Sequence, residues 1–176
     1  VRQFMAPAYQ LEFTNGGHDI SHFQRCEAIA DIIMNPVDPY YKADPLLVKI
    51  AIWYHDMYRT SYFNYLKEEG KPALIIDNLS RLGLQKTEIA LIIDAVANHG
   101  QLNEDSDNPV LVYLKDIDRL DMGAIGIFRI AAHRWNLPPY QMSDFGGKPE
   151  STKEKDISSL IHDLYRCLEW EGFLRT

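Results

Sequence analysis

The stretch that most constrains the fold of this chain is KIAIWYHDMYRT, residues 49–60. After Lys49, residues 50–54 form an uninterrupted run of apolar and aromatic residues, and the run ends on His55 and Asp56. A helix this apolar is buried on nearly all sides, so its end is predicted to lie inside the domain. Burying an imidazole beside a carboxylate is costly unless something binds them, and a divalent cation is the simplest candidate. The alternative interpretation is a surface His-Asp pair just beyond a core helix.

The composition predicts a single globular domain without a nucleic-acid partner. The chain has 176 residues, of which 46% are hydrophobic and 24% are charged, and its net charge is −7. That negative charge argues against non-specific binding to nucleic acid or to an anionic membrane. It remains compatible with a small phosphorylated substrate, because a bound cation and a few basic side chains outweigh the global charge locally.

The cysteines and the apolar runs predict a cytoplasmic location. The two cysteines, Cys26 and Cys167, both fall in predicted helices, so a disulfide framework is not supported. No apolar run approaches the roughly 18 residues of a membrane span, and the first ten residues lack a signal-peptide pattern. The assembly is left open, with a homodimer as one option.

The periodicity of apolar residues predicts an all-α fold, a compact single-domain bundle of six to eight helices over residues 1–176. Residues 1–17 are predicted to be a lead-in that contains Pro7, and residues 60–70 a short additional helix. The main predicted helices cover about 18–34, 45–56, 71–83, 87–99, 110–120 with a continuation toward Trp135, and a closing amphipathic helix at 156–172.

Metal-capable side chains recur at the ends of these predicted helices. They are His22, His55, Asp56, His99 and Asp118. Asp118 lies in LKDIDRLDMG on an otherwise apolar helix, where it faces either solvent or a cation. Asp116 and Asp121 compete with it for the inward position, and Asp118 and Asp121 share a helix face at a spacing of three residues.

Three stretches, in this order, give a family resemblance: GHDISHFQRC, AIWYHDMYRT and LKDIDRLDMGAIGI, within residues 17–128. Together they resemble the HD-domain superfamily of metal-dependent phosphohydrolases. The dipeptide His18-Asp19 looks like the motif that names the family, but in similar small members the ligand is the later histidine of the HDxxH stretch. The resemblance therefore implies four metal ligands, His22, His55, Asp56 and Asp118.

Such a ligand set implies one divalent metal ion (Mn, Fe, Co, Ni, Zn or Mg) that activates a water molecule for attack on phosphorus. The implied activity is hydrolysis of a phosphate ester or anhydride of a small substrate, with a nucleotide favoured. Asp56 is expected to act both as a ligand and as the group that orients or deprotonates the water. His99 is expected to be a catalytic pocket residue that contacts phosphate or donates to the leaving oxygen, a helix-cap role being the alternative.

Four basic residues are candidates for binding the substrate phosphate, each with a solvated or ion-paired side chain as the alternative: Arg25, Arg59, Lys115 and Arg119. The residues that follow His55-Asp56 lack the acidic pair of relatives that hydrolyse (p)ppGpp, so that activity is not expected. Only His99 lies between the second and last motifs, which favours one metal over two. A non-catalytic nucleotide-binding sensor or interaction module, and a di-iron oxygenase of the same fold, remain the alternative functions.

Overall fold

In a computed structural model, residues 1–12, 20–34, 42–59 and 70–121 are described, and their regular structure is entirely helical. This confirms the predicted all-α class. Within these residues there are six α-helices and one short 3₁₀ turn: α1 Arg2–Glu12, α2 Ile20–Ile33, α3 Pro45–Tyr54, the turn Met57–Arg59, α4 Gly70–Arg81, α5 Lys86–Asn98 and α6 Pro109–Asp121.

Helix α3 is the central element, because it packs against α1, α2, α5 and α6. Seven of its ten residues are buried. The helix begins where the Asp44 carboxylate accepts a hydrogen bond of 2.8 Å from the Leu46 N–H, with Pro45 at the first helical position. It ends at Tyr54, one residue before His55, so the His-Asp pair lies in the turn that follows the helix. His55 and Asp56 are both buried, which excludes the interpretation of a surface pair.

The turn between α4 and α5 ends α4 where the sequence predicts. Gly83 has a φ of +86°. Its N–H donates to the Ser80 carbonyl, and the Leu84 N–H donates to the Leu79 carbonyl. This pair of hydrogen bonds is the Schellman arrangement, which closes a helix through a left-handed residue. Helix α5 then begins with a capping box, in which the Glu88 side chain accepts from the Gln85 N–H.

The expectation that residues 1–17 are only a lead-in is wrong, because Arg2–Glu12 form α1 with Pro7 inside it. Proline removes one helical hydrogen bond and disfavours a helix interior. The helix nonetheless packs against α2 and α3, and Met5 is fully buried in the hydrophobic core. The free energy gained by burying apolar side chains such as Met5 therefore outweighs the unfavourable effect of Pro7 on the helix.

Several predicted elements lie outside the described residues. They are the short helix in 60–69, the continuation beyond Asp121 toward Trp135 and the closing helix at 156–172, together with the dipeptide His18-Asp19. The single-domain interpretation of residues 1–176 therefore stays a prediction. Among the described helices, none has both the length and the apolar character needed to cross a membrane.

Replacing Gly83 by alanine is expected to lower the free energy of unfolding by about 1–2 kcal/mol, the strain of a side chain in the left-handed region. A Cβ atom at this position would meet nothing within 4 Å, so steric contact adds nothing to that loss. The control is Gly83→Asn, which tolerates this conformation better and should lose less. Urea unfolding of the three proteins checks this, and equal losses for Ala and Asn would contradict it.

Candidate metal centre

Three separate helical segments bring His22, His55, Asp56 and Asp118 together in the interior. His22 comes from α2, the His-Asp pair from the end of α3 and Asp118 from α6. The His22 Nε2 atom lies 3.1 Å from the His55 Nε2 atom and 3.5 Å from the Asp118 Oδ1 atom. The His55 Nε2 atom lies 3.2 Å from the Asp56 Oδ2 atom. All four residues are buried.

The separations of these atoms fit a single cation. Of the five separations measured from a histidine Nε2 atom, the two longest are 3.8 Å, from His55 to Asp118 Oδ1, and 3.9 Å, from His22 to Asp56 Oδ2. Two atoms bonded to one ion at roughly 2.0–2.2 Å lie at most about 4.4 Å apart, since that is twice the bond length. The observed distances all lie below that limit. The buried group His22, His55 and Asp118 therefore has the composition and spacing of a metal site.

Hydrogen bonds at the other ring nitrogens orient both imidazoles toward the centre. His55 Nδ1 lies 2.6 Å from the Ile52 carbonyl, and His22 Nδ1 lies 2.7 Å from Asp121 Oδ2. A carbonyl or carboxylate oxygen accepts here, so each Nδ1 carries a hydrogen and each ring directs its Nε2 atom inward. Metal-bound histidines are held in the same way by a hydrogen bond to the non-ligating nitrogen.

His99 lies at the edge of this group, as the residue that caps the C-terminus of α5. Its Nδ1 lies 2.8 Å from the Val96 carbonyl, and its ring is perpendicular to the His55 ring with 5.1 Å between the centroids. The Nε2 atom is buried and has no hydrogen-bond partner among the described residues. Ligand atoms of His55, Asp56 and His99 lie within 4.8 Å of one another. His99 thus caps its helix, as one sequence interpretation held, and lies beside the centre; its catalytic role stays a prediction.

The carboxylates give the centre a strong attraction for positive charge. Burial lowers the pKa of His55, but the neighbouring Asp56 and Asp118 more than offset it and raise that pKa to about 9. His99 differs, because burial and then the adjacent His55 lower its pKa below the ordinary value. The negative charge of the carboxylates is therefore balanced either by a proton on His55 or by a metal cation in place of that proton.

A second group of metal-capable residues, His22, Cys26 and Asp121, fits a cation less well. Burial raises the pKa of the Cys26 thiol, and Asp118 and Asp121 raise it further, so a cation bound there would have to displace a firmly held thiol proton. Both oxygens of Asp121 are also bound by the Arg25 guanidinium. The Nε2 side of His22 is therefore the better site.

The predicted phosphate-binding residues have protein partners in the structure. Arg25 binds Asp121 and Ser21. The buried Lys115 donates to the Leu102 carbonyl at 2.6 Å and to Asp107 at 2.8 Å. Phosphate binding by these residues stays a prediction.

The other two residues predicted to bind the substrate phosphate are Arg119 and Arg59. Arg119 is buried, donates to Asn103 at 2.8 Å and lies 3.8 Å from Asp116. Of Arg59, only the backbone in the 3₁₀ turn is described. Neither observation tests a role in substrate binding.

Sequence reasoning did not assign a role to Asp121. It lies behind His22 on the side away from the cation site, and Arg25 binds it there. Hydrogen bonds from His22 and Arg25 overcome the effect of burial and lower the pKa of Asp121 to about 2. The available signal was its spacing of three residues from Asp118, which places both carboxylates on one face of α6 but does not separate a ligand from a supporting residue.

Comparison with known proteins supports the fold. No known protein-family profile matches the chain. No curated protein matches it either. Among solved structures, the chain is similar to Bacillus subtilis YpgQ, whose crystal structure was determined in complex with ADP. The TM-score is 0.58 at 21% sequence identity, and the match covers 98% of this chain and 84% of YpgQ. A likeness at this identity shows a shared all-helical fold.

Divalent cations are expected to raise the melting temperature, because a ligand that binds only the folded state stabilises it. At a free concentration 100 times its Kd, a metal ion adds about 2.7 kcal/mol to the free energy of unfolding. The measurement is thermal unfolding in chelator and in graded Mn²⁺, Co²⁺ or Zn²⁺. His55→Ala should fold, since the apolar surface of α3 is unchanged, yet lose the shift. An equal shift in wild type and His55→Ala would contradict the site.

Proposed function

We propose that the chain is a metal-dependent phosphohydrolase of the HD-domain superfamily, which cleaves a phosphate ester or anhydride of a small substrate with water as the nucleophile. The observation that carries this proposal is the convergence of His22, His55, Asp56 and Asp118 around one point. These residues come from the three stretches that carry the family resemblance, and they are far apart in the sequence. The similarity to YpgQ, which was crystallised with ADP, supports a phosphorylated substrate.

The four side chains would hold one divalent cation through the Nε2 atoms of His22 and His55 and a carboxylate oxygen each of Asp56 and Asp118. A cation bound there would lower the pKa of a coordinated water and polarise a phosphoryl oxygen. Two imidazoles and two carboxylates suit Mn²⁺, Fe²⁺, Co²⁺, Ni²⁺ and Zn²⁺, and tolerate Mg²⁺ less well because that ion prefers oxygen ligands.

Asp56 and His99 would handle the attacking water and its proton. Asp56 is a buried carboxylate 3.2 Å from the His55 Nε2 atom, so it can hold the cation and orient the water beside it. The Nδ1–H of His99 is held by the Val96 carbonyl, and its buried Nε2 is left as a hydrogen-bond acceptor. This tautomer favours accepting a hydrogen bond or proton from the water over the predicted donation to the leaving oxygen.

A nucleotide is the favoured substrate class. The support is that YpgQ, which has a similar fold, was crystallised with ADP. ADP carries a diphosphate, and a buried cation flanked by a proton acceptor suits cleavage of a phosphoester or phosphoanhydride bond. In the described part of the chain, three histidines lie in or beside the candidate metal centre, namely His22, His55 and His99. So few histidines favour a site for one metal ion over the two iron ions that a di-iron oxygenase needs.

The proposal predicts metal-dependent release of phosphate or pyrophosphate from nucleoside mono-, di- or triphosphates. Asp56→Asn should abolish turnover. His99→Gln should reduce kcat by about 10²–10⁴-fold, the usual contribution of a general acid or base, while leaving the metal content unchanged. The measurement is a product-release screen with each divalent cation, beside elemental analysis of every purified protein.

The control for this screen is Asp77→Asn, which changes an exposed carboxylate that pairs with Arg81 on α4 and should leave turnover unchanged. Tight, stoichiometric nucleotide binding without turnover under any metal would replace the hydrolase with a sensor. Two iron atoms per chain together with oxygen consumption would replace it with an oxygenase.

A further inference from the structure

Behind the candidate metal centre, a line of buried contacts runs from His22 toward the surface. His22 Nδ1 lies 2.7 Å from the Asp121 Oδ2 atom. Arg25 donates to both oxygens of Asp121, from Nε to Oδ1 at 2.6 Å and from Nη2 to Oδ2 at 2.9 Å. Arg25 Nη1 also donates to Ser21 Oγ at 2.7 Å, one turn earlier on α2. The side chain of Asp121 is 2% exposed and that of Arg25 is 22% exposed.

We propose that Asp121 and Arg25 are positioning residues that set the affinity of the centre for its cation. The inference rests on the metal site of the proposed function and extends it to two residues outside the ligand set. Asp121 fixes the orientation of the His22 imidazole and keeps its hydrogen on Nδ1, so that Nε2 meets the cation as a lone pair. Carboxylates that support metal-bound histidines in this way commonly contribute 10–100-fold to metal affinity.

Arg25 acts on the centre through Asp121. Its planar guanidinium matches both oxygens of the carboxylate, a geometry that a lysine ammonium cannot reproduce. This two-point contact neutralises a buried carboxylate that would otherwise be costly. It also keeps Asp121 turned toward the Nδ1 side of His22, so that the carboxylate supports the ring and does not compete with Asp56 and Asp118 for the cation.

This role differs in a measurable way from the phosphate contact predicted for Arg25. A guanidinium whose Nε and both Nη atoms are bonded within the protein supports the metal site before any substrate arrives. A phosphate-binding arginine would change KM for the substrate and leave metal affinity unchanged. A positioning arginine changes the metal Kd in the absence of substrate.

The experiment measures the Kd of Mn²⁺ or Co²⁺ for the full chain by titration against a chromophoric chelator. Asp121→Asn should bind the metal 10–100-fold more weakly, because an amide can donate to Nδ1 and so move the ring hydrogen to Nε2. Arg25→Gln should weaken binding in the same direction, and Arg25→Lys should recover part of the loss by restoring the charge without the planar contact.

The matched controls are Arg81→Gln and Asp77→Asn. Arg81 contacts both oxygens of Asp77 in the same two-point fashion, but on the exposed surface of α4. These variants should bind the metal as the wild type does. Thermal unfolding in chelator is recorded for every variant, because a purely structural role would lower the melting temperature and leave the metal Kd of the folded protein unchanged.

The double variant Arg25→Gln with Asp121→Asn tests whether the arginine acts through the carboxylate. It should bind metal no more weakly than Asp121→Asn alone, since the group through which Arg25 acts is already altered. Additive losses would overturn the role given to Arg25. Wild-type affinity in folded Asp121→Asn, or an Arg25→Gln effect confined to KM, would overturn the inference while leaving the hydrolase intact.

Failure of the hydrolase proposal gives a different set of results from failure of the positioning role. If the wild type binds metal and the variants weaken it as described, but no nucleotide is cleaved, the hydrolase proposal fails and the positioning role stands. If the wild type binds no divalent cation, both are overturned. Should Asp121→Asn fail to fold, Arg25→Lys carries the same test, because it keeps the buried charge balance and loses only the planar contact.

Discussion

The candidate site depends on the contact between the Nε2 atoms of His22 and His55, which lie 3.1 Å apart in the interior with two carboxylates beside them. Two lone pairs at this distance repel unless a proton or cation lies between them, so the arrangement is stable only with positive charge at that point. The apolar sequence of α3 brings one imidazole inside, and α2 and α6 bring the groups that meet it. The side chains proposed to carry the chemistry therefore lie where these three helices pack together.

Helix α6 carries several charged side chains that are buried in the interior. Its last seven residues include five buried charged side chains, namely Lys115, Asp116, Asp118, Arg119 and Asp121. Asp118 faces the imidazoles, Asp121 supports His22, and Lys115 and Arg119 hold the segment between α5 and α6 through Leu102, Asp107 and Asn103. That segment begins immediately after His99, so the same helix that carries the proposed ligand Asp118 also fixes the chain next to the proposed proton acceptor.

The sequence predicted the parts of the structure that local patterns control. The apolar run before His55, the Pro45 start of α3 and the Gly83 stop of α4 each have a local physical cause, and each appears in the structure. Helix α1 was missed because Pro7 is unfavourable locally and only tertiary packing of Met5 offsets it. The contacts of Asp121 with His22 and Arg25 were missed because they depend on which way the side chains turn between α2 and α6. Spacing along one helix carries no information about that direction.

The most direct test of the central claim is the anomalous diffraction of crystals grown with Mn²⁺ and measured at a wavelength where manganese scatters anomalously. The account predicts one strong peak within bonding distance, about 2.0–2.3 Å, of His22 Nε2, His55 Nε2 and oxygens of Asp56 and Asp118. A peak on the far side of His22, between Cys26 and Asp121, or no peak among these residues at all, would contradict it.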